Sequence, residues 1–400
     1  MKEPKIRFNE FNGEWEEHTL GDFGSISMCK RIFKDQTSPN GDIPFFKIGT
    51  FGYTPDAYIS RKLYEEYKQQ YPFPNKGDIL ISAAGTIGRT VEYMGEDAYY
   101  QDSNIVWLNH SNKIDNKFLK YLYSKTNWNN LEGATIKRLY NSILLSTKSN
   151  CPSLAEQHSI ASFFTTLDAQ ISASTSRLAS LKQIKAASLQ AMFPQEGETV
   201  PKLRFKGFEG EWEKVAIKDI ATFSKGRGYS KSDLRVVGTP IILYGRMYTK
   251  YEACITNVDT FVNPLPNSIY SLGNEVIMPA SGETPEDISC ASAIQVRGII
   301  LGGDLNVLHF NIDCYDTTFI ALSLSIGKIK KDLSNMAQGK SVVHLHNSDI
   351  EKIDMFIPSF AEQRAIAFFF TNLDRQITLQ TQRLEKLKQI KAACLDKMFV

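Results

Sequence analysis

Cysteine is scarce in this sequence, and no two cysteines stand at a spacing that a metal site would use. The six cysteines are scattered over 400 residues without a CxxC pair. This distribution argues against structural zinc and favours reduced, mostly buried thiols in a cytosolic protein. His344 and His346 form an HxH pair in a segment that reads as a strand. No third ligand is evident, so packed or exposed imidazoles are favoured over a metal site.

Long apolar runs are also missing. The longest, at residues 365–370, is far shorter than the roughly 18 residues that a membrane-spanning helix needs. The opening segment MKEPKIRFNE contains no hydrophobic stretch of the kind found in signal peptides. We therefore expect a cytoplasmic protein.

The chain has no large excess of either charge. Its formal net charge is +2, and the basic and acidic residues number 19 and 18 in residues 1–150 and 17 and 18 in residues 201–356. Neither block is therefore a strongly basic nucleic-acid-binding domain. Any DNA-binding charge must therefore be local. The richest basic run has Asp233 as its one acidic neighbour, and a run of this kind is more often a solvated face than a phosphate contact. It consists of Lys225, Arg227, Lys231, Arg235, Arg246 and Lys250.

Motifs of catalysis are absent as well. The segment Gly339-Lys340-Ser341 resembles the end of a phosphate-binding loop, but Ser334 stands where that loop needs its first glycine. The order of a helix before it and a strand after it is also reversed. No Ser/His/Asp or Cys/His arrangement stands out, so the sequence predicts no active site, although an enzyme with an unrecognised site stays open.

What the sequence does contain is a duplication. PKIRFNEFNGEW at residues 4–15 recurs as PKLRFKGFEGEW at residues 201–212. Residues 152–193 and 358–399 are a second pair, with 27 identities in 42 aligned positions. The chain therefore alternates two globular blocks with two nearly identical segments.

The two repeated segments are predicted to be long helices. Each begins Ser-x-x-Glu after a proline, which is typical of a capping box. Apolar residues follow at alternating spacings of four and three, as in a coiled coil. About 40 residues correspond to a helix of about 60 Å. Antiparallel pairing would relate the two blocks by a pseudo-two-fold axis. The seam of the first copy comprises Ile160, Phe164, Leu167, Ile171, Leu178, Leu181 and Met192, and that of the second Ile366, Phe370, Leu373, Ile377, Leu384, Leu387 and Met398.

A second apolar face lies beside this seam and predicts a further contact. It is formed by Ile184, Leu189, Ile390 and Leu395. An apolar arc wider than a two-stranded seam packs against something more. Helices of a partner protein are favoured, and the chain's own globular blocks are the alternative.

Both globular blocks mix short strands and helices in the same order. In the first block we expect strands at 43–48, 78–82, 90–93 and 103–108, with helices at 62–69 and 116–124. In the second we expect strands at 240–244, 275–279, 293–297 and 307–310, with a helix at 317–325. The fold class is therefore α+β, and the blocks share a framework while their intervening sequences differ.

The order of motifs resembles the specificity subunit of type I restriction–modification enzymes. R-F-x-x-F-x-G-x-W is followed by G-D-I-L-I-S, by G-T-I-G, and by P-S-x-A-E-Q opening a helix with L-D-x-Q-I, and the plan then repeats. The resemblance covers essentially the whole chain, although the second block lacks G-T-I-G. It implies recognition domains at 1–151 and 196–357, a central spacer helix at 152–195 and a distal spacer helix at 358–400.

The resemblance implies a non-catalytic subunit that reads a bipartite, asymmetric site on double-stranded DNA, one half per domain. It implies two modification subunits, which bind S-adenosylmethionine and methylate adenine, and restriction subunits that use ATP and Mg. No cofactor is expected in this chain, which also lacks the Asn/Asp-Pro-Pro-Tyr/Phe motif of adenine methyltransferases. An orphan DNA-binding or scaffold protein of the same architecture is the alternative.

Residues in loops that follow the strands are the candidate DNA contacts, because side chains at base edges read sequence while Lys and Arg fix register on phosphates. In the first block they are Lys47, Thr50, Ser82, Thr86, Arg89, Asn104, Thr135, Lys137 and Arg138. In the second block they are Arg227, Tyr229, Tyr244, Arg246, Ser281, Glu283, Gln338 and Lys340.

Overall fold

The chain forms two compact units in a computed structural model that describes residues 3–128 and 138–400. Unit 1 consists of Met1–Thr175 with Gln382–Val400, and unit 2 of Ser176–Thr381. Each unit thus contains one globular block and parts of both long helices. The predicted fold class, two mixed α/β domains with two long helices, is confirmed.

Unit 1 is built around a four-stranded antiparallel sheet. Its strands, in spatial order, are Ser25–Ser27, Ile105–Asn109, Ile79–Ser82 and Thr90–Glu92. A three-stranded sheet contains Tyr58–Ile59, Ile43–Phe46 and Tyr99–Tyr100, and Glu16–Thr19 pairs with Lys148–Cys151. The helices of the block are Leu20–Phe23, Arg61–Gln70, Asn116–Lys125 and Asn141–Ser146, with a 3-10 turn at Lys34–Gln36.

Unit 2 repeats this topology with additions. Its main sheet has five strands, Ala221–Lys225, Leu305–Phe310, Glu275–Pro279, Ser292–Ile294 and Cys254–Ile255. A three-stranded sheet contains Phe261–Val262, Thr239–Ile242 and Ile300–Leu301. Two further sheets have two strands each, Glu213–Ala216 with Asp354–Ile357 and Ser281–Gly282 with Val343–His344. The helices are Ile217–Ile220, Arg246–Thr249, Pro285–Ile288, Thr317–Leu324, Gly327–Met336 and Asn347–Ile350, with a 3-10 turn at Lys231–Asp233.

The central strands are apolar on both sides because both faces of each main sheet are covered. In unit 1, Ile79 and Ile81 face the core that contains the first long helix, whereas Leu80 lies in an aromatic core with Tyr99 and Tyr100. A strand buried on both faces reads as a continuous apolar run. This packing explains why I-L-I-S was recognisable as a strand from sequence.

The two long helices are Leu154–Ala191 and Phe360–Met398. They pair antiparallel within each unit, as predicted. In unit 1, Lys391 Nζ lies 2.6 Å from an Asp168 carboxylate oxygen. In unit 2 the equivalent pair is Lys185 with Asp374. Each ion pair joins the beginning of one helix to the end of the other, so the same contact is made twice with the helices exchanged.

Each long helix ends in the core of the unit in which the other long helix begins. Phe399 is 8% exposed and stacks on Phe118, with ring centroids 5.3 Å apart. Phe193 is 6% exposed and stacks on Phe319 at 5.7 Å. The long helices are therefore part of both hydrophobic cores.

The Ser-x-x-Glu segments cap the helices only in part. Ser153 Oγ accepts the Glu156 backbone N–H at 3.4 Å, as a cap should. The Glu156 carboxylate is instead bound by Arg7, whose Nε and Nη2 donate to its two oxygens at 2.8 and 2.7 Å. The predicted return of this carboxylate to the cap is therefore wrong, because a buried bidentate guanidinium offers charge-assisted hydrogen bonds.

Unit 2 makes the same bidentate pair. Arg204 Nε and Nη2 donate to the Glu362 carboxylate at 2.8 and 2.6 Å, and Glu362 is 2% exposed in its side chain. Hydrogen bonding to Glu362 raises the pKa of Arg204, which stays charged at any physiological pH. The repeated R-F and A-E-Q motifs thus meet in space, and each pair attaches the start of a block to the start of its long helix.

The glutamine of A-E-Q attaches a third segment. Gln157 Oε1 accepts the backbone N–H of Asp115 at 2.9 Å, and Gln363 Oε1 accepts that of Asp316 at 3.0 Å. Asp115 and Asp316 each cap the following helix of their block. Burial raises the pKa of Asp316. The motif therefore orients the block's helix against the long helix.

The HxH segment is shorter than predicted. The strand comprises Val343–His344, while His346 precedes the helix Asn347–Ile350 as its cap. The two imidazole rings are nearly parallel, with their centroids 6.3 Å apart. Within residues 3–128 and 138–400, no group of three His, Cys, Asp or Glu side chains could hold a metal ion. Over the same residues, no helix is long and apolar enough to cross a membrane.

Candidate nucleic-acid interface

Four of the predicted DNA-contact residues of unit 1 gather at one end of its main sheet. Ala83, just after the strand Ile79–Ser82, donates its N–H to the Asn104 carbonyl at 2.7 Å. Ala84 forms a bridge with Arg138, and Thr86 and Arg89 lie on the turn that follows. The structure therefore brings Thr86, Arg89, Asn104 and Arg138 to a common edge.

The two arginines at this edge are positioned by backbone oxygens. Arg89 Nη1 donates to the Phe51 carbonyl at 2.9 Å, and its guanidinium lies 4.7 Å from the Tyr53 ring. Arg138 Nη2 donates to the Ser103 carbonyl at 3.1 Å. Neither takes part in an ion pair among the described residues, so both keep their positive charge available to an anion.

Lys47 and Thr50 occupy the turn after the strand Ile43–Phe46. Lys47 Nζ lies 2.8 Å from an Asp56 carboxylate oxygen in an exposed pair. Thr50 Oγ1 accepts the Lys47 N–H at 3.1 Å. An exposed pair of this kind is worth little, so Lys47 can exchange Asp56 for a phosphate. Thr135 and Lys137, also predicted, lie outside the described residues.

Three predicted contacts are contradicted by burial. Ser82 is 1% exposed and Ser281 is 4% exposed, and Ser281 Oγ lies 3.0 Å from His344 Nδ1. The Arg246 side chain is 8% exposed and pairs with Glu252 at 2.7 Å. Burial of these side chains within the fold argues against them as DNA contacts. A serine at a strand end and an arginine in a basic run look alike in sequence whether they face solvent or core.

In unit 2 a hairpin presents Gln338 and Lys340. Gln338 and His344 exchange backbone hydrogen bonds of 3.0 and 2.8 Å, and the intervening Gly339 has φ 141°. A side chain there would collide with the backbone, because its Cβ would lie 1.9 Å from the Val342 carbonyl oxygen. The tight turn leaves Gln338 and Lys340 exposed.

The remaining predicted residues of unit 2 differ in exposure. Glu283 and Arg227 are exposed. Tyr229 is half-buried, and its hydroxyl accepts the Leu265 N–H at 2.7 Å. Tyr244 is half-buried against Tyr248. The two tyrosines thus support the surface, whereas Glu283 and Arg227 project from it.

The basic run of unit 2 divides into two parts. Arg246 and Lys250 pair with carboxylates, Lys250 with Asp259 at 2.7 Å. The other members are exposed and form no ion pair with any described residue. They are Lys225, Arg227, Lys231 and Arg235. Arg227 was also among the predicted loop contacts, and the other three were identified from sequence as members of the basic run.

The titratable groups show no feature of a nucleophilic site among the described residues. Burial raises the pKa of the Cys29 and Cys290 thiols to about 12, which leaves them protonated and unreactive. His344 contacts Ser281, and His309 Nε2 contacts Ser224 at 2.8 Å. Neither pair has a carboxylate oriented on the histidine among the hydrogen bonds of the described residues.

The four residues of the predicted partner face on the long helices differ in exposure. Ile184 is 49% and Ile390 is 38% exposed. Leu189 packs against the core of unit 2, and Leu395 against the core of unit 1. For the two leucines this packing supports the alternative, contact with the chain's own blocks. The two isoleucines remain available to a partner.

Specificity subunits of type I restriction enzymes are similar to this chain in sequence. A protein of Haemophilus influenzae described as a type I restriction enzyme specificity subunit is 54% identical over 162 residues, which is 40% of this chain and 41% of that protein. In that match the chain thus spans about two fifths of the relative. The type I restriction enzyme MjaVIII specificity subunit of Methanocaldococcus jannaschii is 21% identical over 333 residues, or 80% of this chain and 75% of that protein.

The fold recurs in a crystal structure of a type I restriction–modification S subunit from M. genitalium. The TM-score is 0.63 at 16% identity, covering 100% of this chain and 99% of that one. The model of the type I restriction modification DNA specificity domain matches residues 12–183 and again residues 209–389. Each match contains one block and the start of its long helix. The chain therefore belongs to the family of type I restriction modification DNA specificity domains, of which it carries two copies.

Proposed function

We propose that this chain is the non-catalytic subunit that selects the DNA site of a type I restriction–modification complex, and that each unit reads one half of a bipartite, asymmetric site. The observation that carries the proposal is that the four-strand order of the main sheet of unit 1 recurs in unit 2, which adds a fifth strand, while the surface loops differ. A shared framework with different loops suits two readers that adopt one docking geometry and recognise different bases.

The exposed and half-buried groups at the loop edges have the chemistry that base and phosphate contacts require. Arginine binds guanine bidentately, glutamine suits adenine, and a carboxylate accepts from cytosine. Arg89 and Arg138 in unit 1, and Gln338, Lys340 and Glu283 in unit 2, supply these groups. We propose in addition that the long helices set the number of base pairs between the half-sites.

Exchanging one set of loops tests the division of labour. Replacing residues 44–145 with the same region of a relative of different specificity should change one half of the methylated motif and leave the other intact. Sequencing of methylated adenines in cells that express each version measures both halves. The reciprocal exchange of residues 240–345 is the matched control and should change only the other half. A change in both halves, or in neither, would refute the proposal.

We further propose that exposed positions on the long helices dock the methyltransferase subunits. Ile184 and Ile390 occupy equivalent positions in the two helices, so each would meet an equivalent partner. S-adenosylmethionine would be bound by those modification subunits, and ATP and Mg by the restriction subunits. A stand-alone DNA-binding or scaffold protein, the alternative, would co-purify with neither.

Charge on this face should prevent docking without unfolding the chain. The double variant Ile184→Lys/Ile390→Lys is expected to lose at least tenfold in methyltransferase affinity, because two apolar contacts of about 1.5–3 kcal/mol each would be replaced by charges. Co-purification and calorimetric titration measure the loss. Gln183→Lys/Gln389→Lys adds the same charge at the neighbouring exposed positions and should bind as the wild type does. If both double variants bind the methyltransferase equally well, this face is excluded as its docking site.

A further inference from the structure

One loop of unit 2 combines unpaired cations with exposed apolar side chains. It covers residues 225–238 and connects the strand Ala221–Lys225 to the strand Thr239–Ile242; we call it the basic loop. Lys225, Arg227, Lys231 and Arg235 are exposed on it. Its one carboxylate, Asp233, accepts the Ser230 N–H at 2.7 Å, which lowers its pKa. The loop therefore presents net positive charge that no described side chain neutralises.

The first half of the loop is held rigidly by close backbone packing. A Cβ on Gly226 would lie 1.8 Å from the Gly302 carbonyl oxygen, so only glycine fits there. Gly303 donates its N–H to the Gly228 carbonyl at 2.6 Å. Arg227, between these two glycines, is thus displayed on a fixed backbone. A preorganised loop loses little conformational entropy when it binds.

The second half of the loop ends in two exposed valines. Arg235 donates its N–H to the Phe261 carbonyl at 2.8 Å. Gly238 has φ 151°, and a Cβ on it would lie 2.5 Å from the Val262 carbonyl oxygen. Between these anchors Val236 is 91% exposed and Val237 is 77% exposed. The fold therefore holds a β-branched pair in water between two backbone anchors.

The corresponding loop of unit 1 also carries exposed cations and an exposed apolar side chain. It follows the strand Ser25–Ser27 and is anchored by the Tyr99 hydroxyl, which donates to the Lys30 carbonyl at 2.7 Å. Phe33 is 55% exposed beside Arg31, whose guanidinium lies 5.5 Å from its ring. Both loops thus combine exposed cations with exposed apolar side chains, although Phe33 precedes the 3-10 turn of its loop and the valines follow the 3-10 turn of theirs.

Duplex DNA meets both requirements of such a loop. Its phosphates are the anions, and the C5-methyl group of thymine is the one apolar feature that the major groove presents. We propose that the basic loop binds duplex DNA with its lysines and arginines on phosphates and with Val236 and Val237 against the C5-methyl group of a thymine. The inference rests on the proposed function and assigns base-reading residues to the half-site of unit 2.

Removing the methyl group from the DNA tests the contact directly. A preferred duplex is first selected from a random pool with the full wild-type chain, and each thymine is then replaced by deoxyuridine. At one thymine this replacement should lower the affinity of the wild type about fourfold, which corresponds to the loss of one buried methyl group. Val236→Ser/Val237→Ser should bind both duplexes equally. Ile312→Ser, at another exposed apolar position of unit 2 (52% exposed), should keep the wild-type discrimination.

The cations are tested by salt dependence. Lys231→Gln/Arg235→Gln should lower the slope of log affinity against log salt by about 1 to 2, since each phosphate contact contributes roughly 0.9. The valine variant should keep the wild-type slope. If no thymine substitution affects the wild type, or if the valine variant still discriminates, the thymine contact is excluded. An unchanged salt slope excludes the phosphate contacts. Failure of the wild type to select any sequence would instead refute the proposed function.

Discussion

Replacing Phe399 by alanine is expected to lower the free energy of unfolding of unit 1 by about 3–5 kcal/mol. The ring is 8% exposed and fills the space between three aromatic side chains. Its centroid lies 5.3 Å from that of Phe118, 6.0 Å from that of Phe164 and 6.3 Å from that of Trp15. Alanine would leave a cavity that these rigid neighbours cannot close.

Two comparisons isolate this effect. Val400→Ala changes the next residue, which is 43% exposed, and should cost less than about 0.5 kcal/mol. Phe193→Ala removes the equivalent ring from unit 2 and should destabilise that unit by a similar amount. Urea unfolding gives the magnitudes, and hydrogen exchange shows which central strand, Ile79–Ser82 or Glu275–Pro279, loses protection. If Phe399→Ala and Val400→Ala behave alike, the helix end is not part of the unit 1 core.

The long helices and most strands could be predicted from sequence because their signals are local. Seam residues recur at helical spacing, and Ile160, Phe164 and Leu167 are buried as predicted. The strand predicted at 275–279 is observed as Glu275–Pro279. Strands whose two faces are both covered form apolar runs that need no knowledge of the tertiary structure.

The contacts that organise each unit could not be predicted in this way. Arg7 and Glu156 are 149 positions apart, and each has a sound local interpretation, the first as a surface cation and the second as a capping residue. Their pairing follows from the tertiary packing of the block on the helix. The helix Gly327–Met336 was expected as a helical stretch before Gly339, but its bounds were not predicted, because the glycine at its start weakens the local signal.

At the candidate DNA surface, the exposure of individual side chains could not be predicted from the sequence. Sequence identified the loops after the strands, but it did not distinguish Arg227, which is exposed, from Arg246, which is paired with Glu252. It also passed over Val236 and Val237, because an apolar pair beside a strand is expected to be buried. Only the structure shows that these valines face water.

Replacing Glu362 by alanine is expected to lower the free energy of unfolding of unit 2 by about 3 kcal/mol. The substitution would leave the Arg204 guanidinium, 13% exposed in its side chain, without its bidentate partner. Arg204 would retain the hydrogen bond from Nη1 to the Gly210 carbonyl, now 2.6 Å long, which does not neutralise its charge. Glu385→Ala, at an exposed position of the same helix, should cost less than about 0.5 kcal/mol.

The pair itself is measured by a double-mutant cycle. Arg204→Ala combined with Glu362→Ala should be less destabilised than the sum of the two single variants, because the double variant leaves no buried charge unpaired. Hydrogen exchange should increase at the strand Glu213–Ala216 and at the start of the helix Phe360–Met398, where the pair attaches the block to the helix. The equivalent cycle on Arg7 and Glu156 should give a coupling of the same sign in unit 1. Strict additivity in both cycles would mean that the motif R-F…A-E-Q stabilises the units by packing alone.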